Sequence, residues 1–371
     1  MTHGEAERLP FADLTPGADA ADIRDAIERV LARGWFILGP EGEAFESEFA
    51  TASGAKHAVA VGNGTDAIAL ALRAAGVAPG DEVIVPAMTA TFTALAVIAA
   101  GAVPVFADVD PRTLTLDARA CADAVTSRTR AIVPVHLYGQ PADMLEIMAV
   151  ADRHRLVVIE DCCQAHLATC DSLPVGTIGT AGAFSFYPTK NLGAAGDGGA
   201  VITSDGALAD RIRLLRNGGQ TNRSVHVVAG VNSRLDEVQA AILRVRLPNL
   251  LAETVMRRLT ASSYRDALQG QVSPVSQRDA GHVYHLFPVR SPRREALQAH
   301  LAQAGVETLI HYPVPLHKQP AFAHLAPRDC PVAARAADEL LSLPLHPRLH
   351  ARQTARVIDA IQAFEKGSID A

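Results

Sequence analysis

From about residue 55 to 205 the hydrophobic positions fall into short β-branched runs separated by longer alanine- and leucine-rich stretches. "HAVAVG" predicts a strand, and "GTDAIALALRAAG" predicts a helix that follows at once and ends at Gly76. "DEVIVPA" predicts the next strand, "TALAVIAAG" a helix, and "VPVFADV" a third strand. "TRAIVPVHL" and "RLVVIED" predict two more strands, separated by the helix "ADMLEIMAVADRHR". Strand–helix–strand alternation of this kind builds a mainly parallel sheet with helices on both faces. Ligands of such sheets collect beyond the carboxyl ends of the strands. Attention therefore falls on residues 62–66, 86–92, 136–139 and 160–164.

The pattern changes after "NSRLDEVQAAILRVRLPNLL", where Pro248 interrupts a long helical period. Beyond it, "TVMRRLTASSYRDAL", "HVYHLFPVR" and "RREALQAHLAQAG" predict a helix, a strand and a helix of a compact α+β unit. A chain of 371 residues exceeds what one hydrophobic core usually serves. The expected organisation is a large α/β domain over residues 1–248 and a smaller C-terminal domain over 249–371.

Composition narrows the function class. The chain is 49% hydrophobic and 20% charged with a net charge of −6, so nothing suggests a nucleic-acid-binding surface. The start "MTHGEAERLPFADL" lacks the apolar core of a secretory leader. The most apolar stretch, "TALAVIAAGAVPVFADV", is broken by Gly101 and Pro104 and is too short to span a bilayer. Cys121, Cys162, Cys163, Cys170 and Cys330 show no paired zinc spacing; the three in one short stretch, Cys162, Cys163 and Cys170, read as reduced thiols, and no metal is expected. The expectation is a soluble cytoplasmic protein with no membrane or nucleic-acid partner.

One lysine stands out. In "FSFYPTKNLGAAGDGGAV", Lys190 follows Phe184, Phe186, Tyr187 and Pro188 and precedes Gly193, Gly196, Gly198 and Gly199. Apolar surroundings disfavour a charged ammonium, and an unprotonated amine is what Schiff-base chemistry needs. Asp161 ends the strand "RLVVIED". An aspartate there also suits a helix N-cap, but beside a Schiff-base lysine it can pair with the protonated ring nitrogen of pyridoxal phosphate. Gln164 is placed to reach the phenolic oxygen of the same ring. "VGNGTDAIAL" has the strand–glycine–helix form that aims backbone amides at a phosphate, although Asn63 and Thr65 equally suit helix capping. It is neither the dinucleotide fingerprint nor a P-loop. Ser185, beside Lys190, suits a second phosphate contact.

With these motifs in order, the chain resembles the DegT/DnrJ/EryC1/StrS family of sugar-nucleotide aminotransferases, which share the aspartate aminotransferase fold (fold type I). The resemblance runs from "RGWFILGPEGEAFESEFA" to "LSLPLHP". It rests on "NGTDAIALAL", "GDEVIVPA", "GAVPVFADVD", "PVHLYG", "VIEDCCQAH", "FSFYPTKNLGAAGDGGAV", "LRNGG", "NSRLDEVQAAIL" and "HYPVPLH". It implies Lys190 as the Schiff-base residue, Asp161 on the pyridine nitrogen and Gln164 near O3′. It also implies Gly64, Thr65 and Ser185 on the phosphate. Asn232 would reach the cofactor phosphate of a partner subunit in a homodimer; on its own, it reads as a turn residue capping the next helix. His311, Tyr312 and His317, from the small domain, and Tyr187 would line the substrate pocket.

The implied reaction moves an amino group from L-glutamate, through pyridoxamine phosphate, to a ketone of a nucleotide-linked deoxysugar. Glutamine at position 164 resembles members acting at C3 of a dTDP-3-keto-6-deoxyhexose. A C4 ketone or a cyclitol ketone is the alternative. Related dehydratases carry histidine in place of Lys190, and a regulatory homologue would show degraded catalytic positions. Two departures stand against the family pattern. Ala90 occupies a position where members often place an aromatic ring on the cofactor, and Phe92 lies close by. Leu167, opening "LATCDSLPVG", replaces a common glycine. The purified protein is expected to show the near-visible absorption of a Schiff-base cofactor, and Lys190→Ala to abolish it in the same spectrum; an unchanged spectrum overturns the assignment.

Overall fold

The computed structural model describes residues 8–366. The first seven residues of the stretch read as lacking a leader lie outside the described residues, as do residues 367–371 of the expected C-terminal domain. A seven-stranded sheet organises the chain. Its strands are β1 (His57–Val61), β2 (Glu82–Pro86), β3 (Val103–Ala107), β4 (Thr129–Ile132), β5 (Val157–Asp161), β6 (Ala181–Ser185) and β7 (Gly199–Thr203). Their spatial order is β1-β7-β6-β5-β4-β2-β3. Only β7 runs against its neighbours; the other pairings are parallel. The carboxyl ends of the remaining strands therefore share one edge.

Both faces of the sheet are buried, because successive side chains point to opposite sides and both sets are apolar. Val59, Val61, Val83 and Val85 pack with the helices Gly64–Ala74, Thr91–Ala99 and Gly206–Arg216. Ala58, Ala60, Ile84 and Phe184 pack on the other side with Pro40–Ala52, Met144–His154 and Glu237–Arg246. There, Phe49 sits edge-on to Phe184 and Phe186 and stacks on Phe45, all four fully buried. The lysine turn after β6 is thus rooted in an aromatic cluster.

Glu160 shows how the edge is braced. Its buried carboxylate accepts the amides of Gly176, Ile178 and Gly179 at 2.7–2.9 Å. His136 Nε2 lies 3.0 Å from the same carboxylate, while His136 Nδ1 accepts the Ala142 amide. Nε2 must therefore carry the ring proton and donate it to Glu160. Cys162 lies within 4.8 Å of this pair, but the donor atoms of His136 and Glu160 are committed to hydrogen bonds and burial raises the Cys162 thiol. His136 and Glu160 together act as a clamp.

Pro248 lies in a single 3₁₀ turn, Leu247–Asn249, between the helices Glu237–Arg246 and Leu250–Ala267. Beyond it, Ser273–Pro274, Phe287–Arg290 and Leu340–Leu343 form a three-stranded antiparallel sheet. Arg294–Gln303 and Ala351–Lys366 pack on this sheet around Phe287, Val289, Leu297 and Leu301. Two expected strands are shorter than the sequence suggests. In "TRAIVPVHL" the ladder stops at Ile132, before Pro134, which has no amide to give. In "HVYHLFPVR" only Phe287–Arg290 is a strand. The preceding residues turn instead to the large sheet: the Val283 amide donates to Gly139 O, and Asn191 Nδ2 to Val283 O.

Among the described residues no helix is long and apolar enough to cross a membrane. Phe49→Ala is expected to cost about 3–5 kcal/mol of stability, as for other buried aromatics, measured by urea unfolding against the unmodified chain.

Candidate active site

Asp161 ends β5 at the shared edge and is 4% exposed. Its Oδ2 accepts a hydrogen bond from Thr93 Oγ1 at 2.8 Å, and its Oδ1 accepts the Cys163 amide at 3.1 Å. No cation pairs with it among the described residues. A buried carboxylate without a cationic partner is costly, and that is a place prepared for one. Lys190 stands in the turn after β6, with its amide on Tyr187 O at 2.8 Å. Gly193 closes this turn: a Cβ there would lie 2.5 Å from Pro188 O. The Lys190 amine has no hydrogen-bond partner among the described residues. Burial holds it below the usual lysine range, against opposing pulls from Cys163 and Asp161.

The edge also brings a phosphate cradle to these groups. Asn63 caps the helix Gly64–Ala74 by accepting the Asp66 amide at 2.9 Å, so of the two uses foreseen for Asn63 the structure shows the cap. The amides of Gly64 and Thr65 have no acceptor among the described residues, leaving two donors at a helix N-terminus. Ser185 and Cys163 close in from the next strands: a Cβ on Gly64 would lie 2.7 Å from Ser185 Cβ and 2.8 Å from Cys163 Sγ. Ser233 braces the cradle from behind. It accepts the Gly62 amide at 2.9 Å and donates to Asp66 Oδ2 at 2.6 Å.

Gln164 is oriented by its neighbours. The Tyr138 amide donates to its Oε1 at 2.6 Å, so its Nε2 must face the other way, where it donates to Tyr312 OH at 2.9 Å. Gln164 thus presents a donor, as a phenolate oxygen requires. Tyr138 OH in turn donates to His311 O at 2.5 Å, and His311 Nδ1 lies 3.0 Å from Ser342 Oγ. His311 and Tyr312 are thereby tied to Tyr138, Gln164 and the strand Leu340–Leu343. Burial and the nearby Lys190 push His311 down to about 4, so its imidazole is neutral at pH 7.

The remaining positions are placed differently. His317 sits 4.0 Å from Asp329, with both ring nitrogens unpartnered, and none of its recorded contacts joins the Lys190 cluster. Tyr187 and Asn232 are exposed, and the Asn232 backbone bridges to Asn217. Phe92 is 65% exposed on its helix. Leu167 adopts φ 59°, the left-handed backbone that favours glycine. The stretch after it forms the hairpin Thr169–Cys170/Leu173–Pro174, and Arg278 ties Asp171 to Asp143 and Asp279 at 3.1 Å each. Thr93 and Ser233 were not foreseen, and Tyr138 only as one of residues 136–139 beyond a strand. Their only signal was position, in or near a strand-end loop.

A buried carboxylate awaiting a cation, a depressed lysine and open helix amides together match a pyridoxal-phosphate enzyme of the aminotransferase class. The chain belongs to the DegT/DnrJ/EryC1/StrS aminotransferase family, whose profile matches residues 18–362. It is 47% identical, over 98% of each chain, to the Streptomyces venezuelae dTDP-3-amino-3,4,6-trideoxy-alpha-D-glucose transaminase. It is also 47% identical, over 98% of this chain and 99% of the other, to an Acidithiobacillus ferrooxidans UDP-N-acetyl-3-dehydro-alpha-D-glucosamine 3-aminotransferase. The crystal structure of S. venezuelae DesV in complex with a ketimine intermediate superposes with a TM-score of 0.94 at 46% identity, covering 97% of this chain and 99% of that one. The fold is that of the family, the protein is an aminotransferase, and pyridoxal phosphate is its cofactor. Gly64→Ala is expected to weaken cofactor binding at least about tenfold while the chain stays folded, because the new methyl fills the cradle. Cofactor titration followed by fluorescence, with circular dichroism as the control, checks this.

Proposed function

We propose that the protein transfers an amino group from L-glutamate to the C3 ketone of a nucleotide-linked deoxysugar, most simply a dTDP-3-keto-6-deoxyhexose. The observation that carries the reading is the unpartnered, depressed amine of Lys190 beside the unpaired carboxylate of Asp161. The two relatives named above carry different nucleotides, yet both names place the nitrogen at C3. The orientation of Gln164 as a donor agrees with its assignment to O3′.

Bound at this edge, pyridoxal phosphate supplies an aldehyde for the amino group and a ring that accepts electrons. Gly64 and Thr65 amides with Ser185 would hold its phosphate, joined by Asn232 of the partner subunit. Asp161 would hold the proton on the ring nitrogen. Lys190 Nζ would take the proton from the Cα of the donor and deliver it to the C4′ carbon of the bound cofactor, acting as base and then acid. The amino sugar is made by the same proton movements in reverse. Tyr312, His311 and Tyr187 would line the sugar pocket, whereas the contacts of His317 run toward Asp329.

Further parts of the reading follow from the chain's surfaces. A homodimer is supported by the exposed Asn232 and by Val225, Val227, Val228 and Val231, which are also exposed on the segment leading to it. Five unbonded cysteines suit a reducing cytoplasm. A small domain over 249–371 beside a large one over 1–248 is supported by the apolar cluster around Phe287, which Leu9 joins from the N-terminal segment. Incubation with glutamate and matched 3-keto and 4-keto sugars on dTDP and UDP tests the substrate assignment by NMR of the products. A 3-amino sugar with 2-oxoglutarate released is expected; amination only at C4 overturns it.

A further inference from the structure

We infer that Thr93 is a positioning residue for the transamination: its hydroxyl, backed by Thr89, holds Asp161 as an oriented carboxylate so that the shared proton stays on the cofactor ring nitrogen. This rests on the reading of Asp161 as the partner of that nitrogen.

The geometry has a fixed direction. An ionised carboxylate only accepts hydrogen bonds, so the single hydroxyl proton of Thr93 is spent on Asp161 Oδ2 at 2.8 Å. Thr89 Oγ1 lies 3.4 Å from Thr93 Oγ1 and must then act as the donor in that pair. The chain runs Thr89 to Thr93 to Asp161, and all three residues are almost fully buried. Thr93 stands in the first turn of the helix Thr91–Ala99, with its amide on Ala90 O at 3.2 Å. Its β-branched side chain has few rotamers, which keeps the hydroxyl aimed.

Neutral donors are the means by which this site sustains a charge. Thr93 takes one carboxylate oxygen and the Cys163 amide takes the other. Each oxygen keeps a lone pair, and the plane of the carboxylate is set by two bonds from different segments. Hydrogen bonds to the ionised form favour that form, and a donor to a charged acceptor contributes more than one between neutral groups. Without the hydroxyl, the carboxylate competes more strongly for the proton of its ring partner. The ring then loses positive charge when the donor's Cα proton leaves. Thr93 therefore acts through Asp161 and touches no reacting atom.

The test uses the full chain loaded with pyridoxal phosphate labelled with ¹⁵N at the ring nitrogen. Thr93→Val, nearly isosteric, should move the ¹⁵N resonance toward the unprotonated position. Turnover should fall about tenfold to a hundredfold, as expected for losing one hydrogen bond to a charged group, with the KM for glutamate within about threefold. Thr93→Ser restores the hydroxyl and should recover both signals to within about threefold. Thr93→Ala is read in the same way where the valine variant does not fold. Asp161→Asn is the reference: if it leaves resonance and turnover unchanged, the assignment of Asp161 itself fails. If Asp161→Asn moves both and the Thr93 variants leave the resonance at its unmodified position, the inference about Thr93 is overturned while Asp161 stands.

Discussion

The site depends on one close passage of backbone. β7 lies between β1 and β6, and its first residue, Gly199, pairs with Val61 on one side and Ser185 on the other. A Cβ on Gly199 would sit 2.4 Å from the carbonyl carbon of Asn63 and 2.9 Å from the Gly64 amide nitrogen. That approach is open only to glycine. It brings the helix cradle after β1 and the lysine strand β6 to the two flanks of one antiparallel strand, although more than a hundred residues separate them. Asp161 joins them because β5 is the other neighbour of β6. The three parts of the proposed cofactor site lie along a single sheet edge.

The electrostatics around Lys190 follow the same economy of charge. Burial lowers His166 to about 3, and it lowers His285 well below the ordinary histidine range; the nearby Lys190 adds to both effects. With His311 at about 4, three imidazoles near the lysine are neutral at pH 7. They supply shape and hydrogen bonds. In the proposed function amides and a hydroxyl would meet the phosphate; two neutral donors hold Asp161, and the Lys190 amine is not surrounded by competing cations.

Much of this was legible in the sequence because the relevant signals are local. Strand periodicity located β1 to β5, and the carboxyl-end rule pointed at Gly64, Asp161 and Gln164 before any coordinates. The turn holding Lys190 announced itself through its aromatic–proline entry and its glycines. What escaped were groups defined by long-range partners. Thr93 is an ordinary polar residue on a helix until β5 places Asp161 beside it, and Ser233 reaches Asp66 across 167 residues of sequence. The strand expected over 282–286 failed for the same reason, since its hydrogen bonds go to Gly139 and Asn191 rather than to a ladder. Leu167 shows the reverse case: its substitution for glycine was visible, but the left-handed backbone it must adopt was not.

Glu160 and Asp161 are neighbours in the chain, chemically near-identical, and point to opposite faces of one strand. The first gathers three amides and an imidazole into the scaffold; the second is held ready for a ligand's charge. A change in the loop at 176–179 therefore pulls on the anchor of the strand that ends in Asp161. Segments that touch Glu160 are poor places for insertions, however exposed their tips, whereas the hairpin at 169–174 has a second fastening through Arg278. The practical map of where this scaffold accepts change is drawn by which of the two acids a segment leans on.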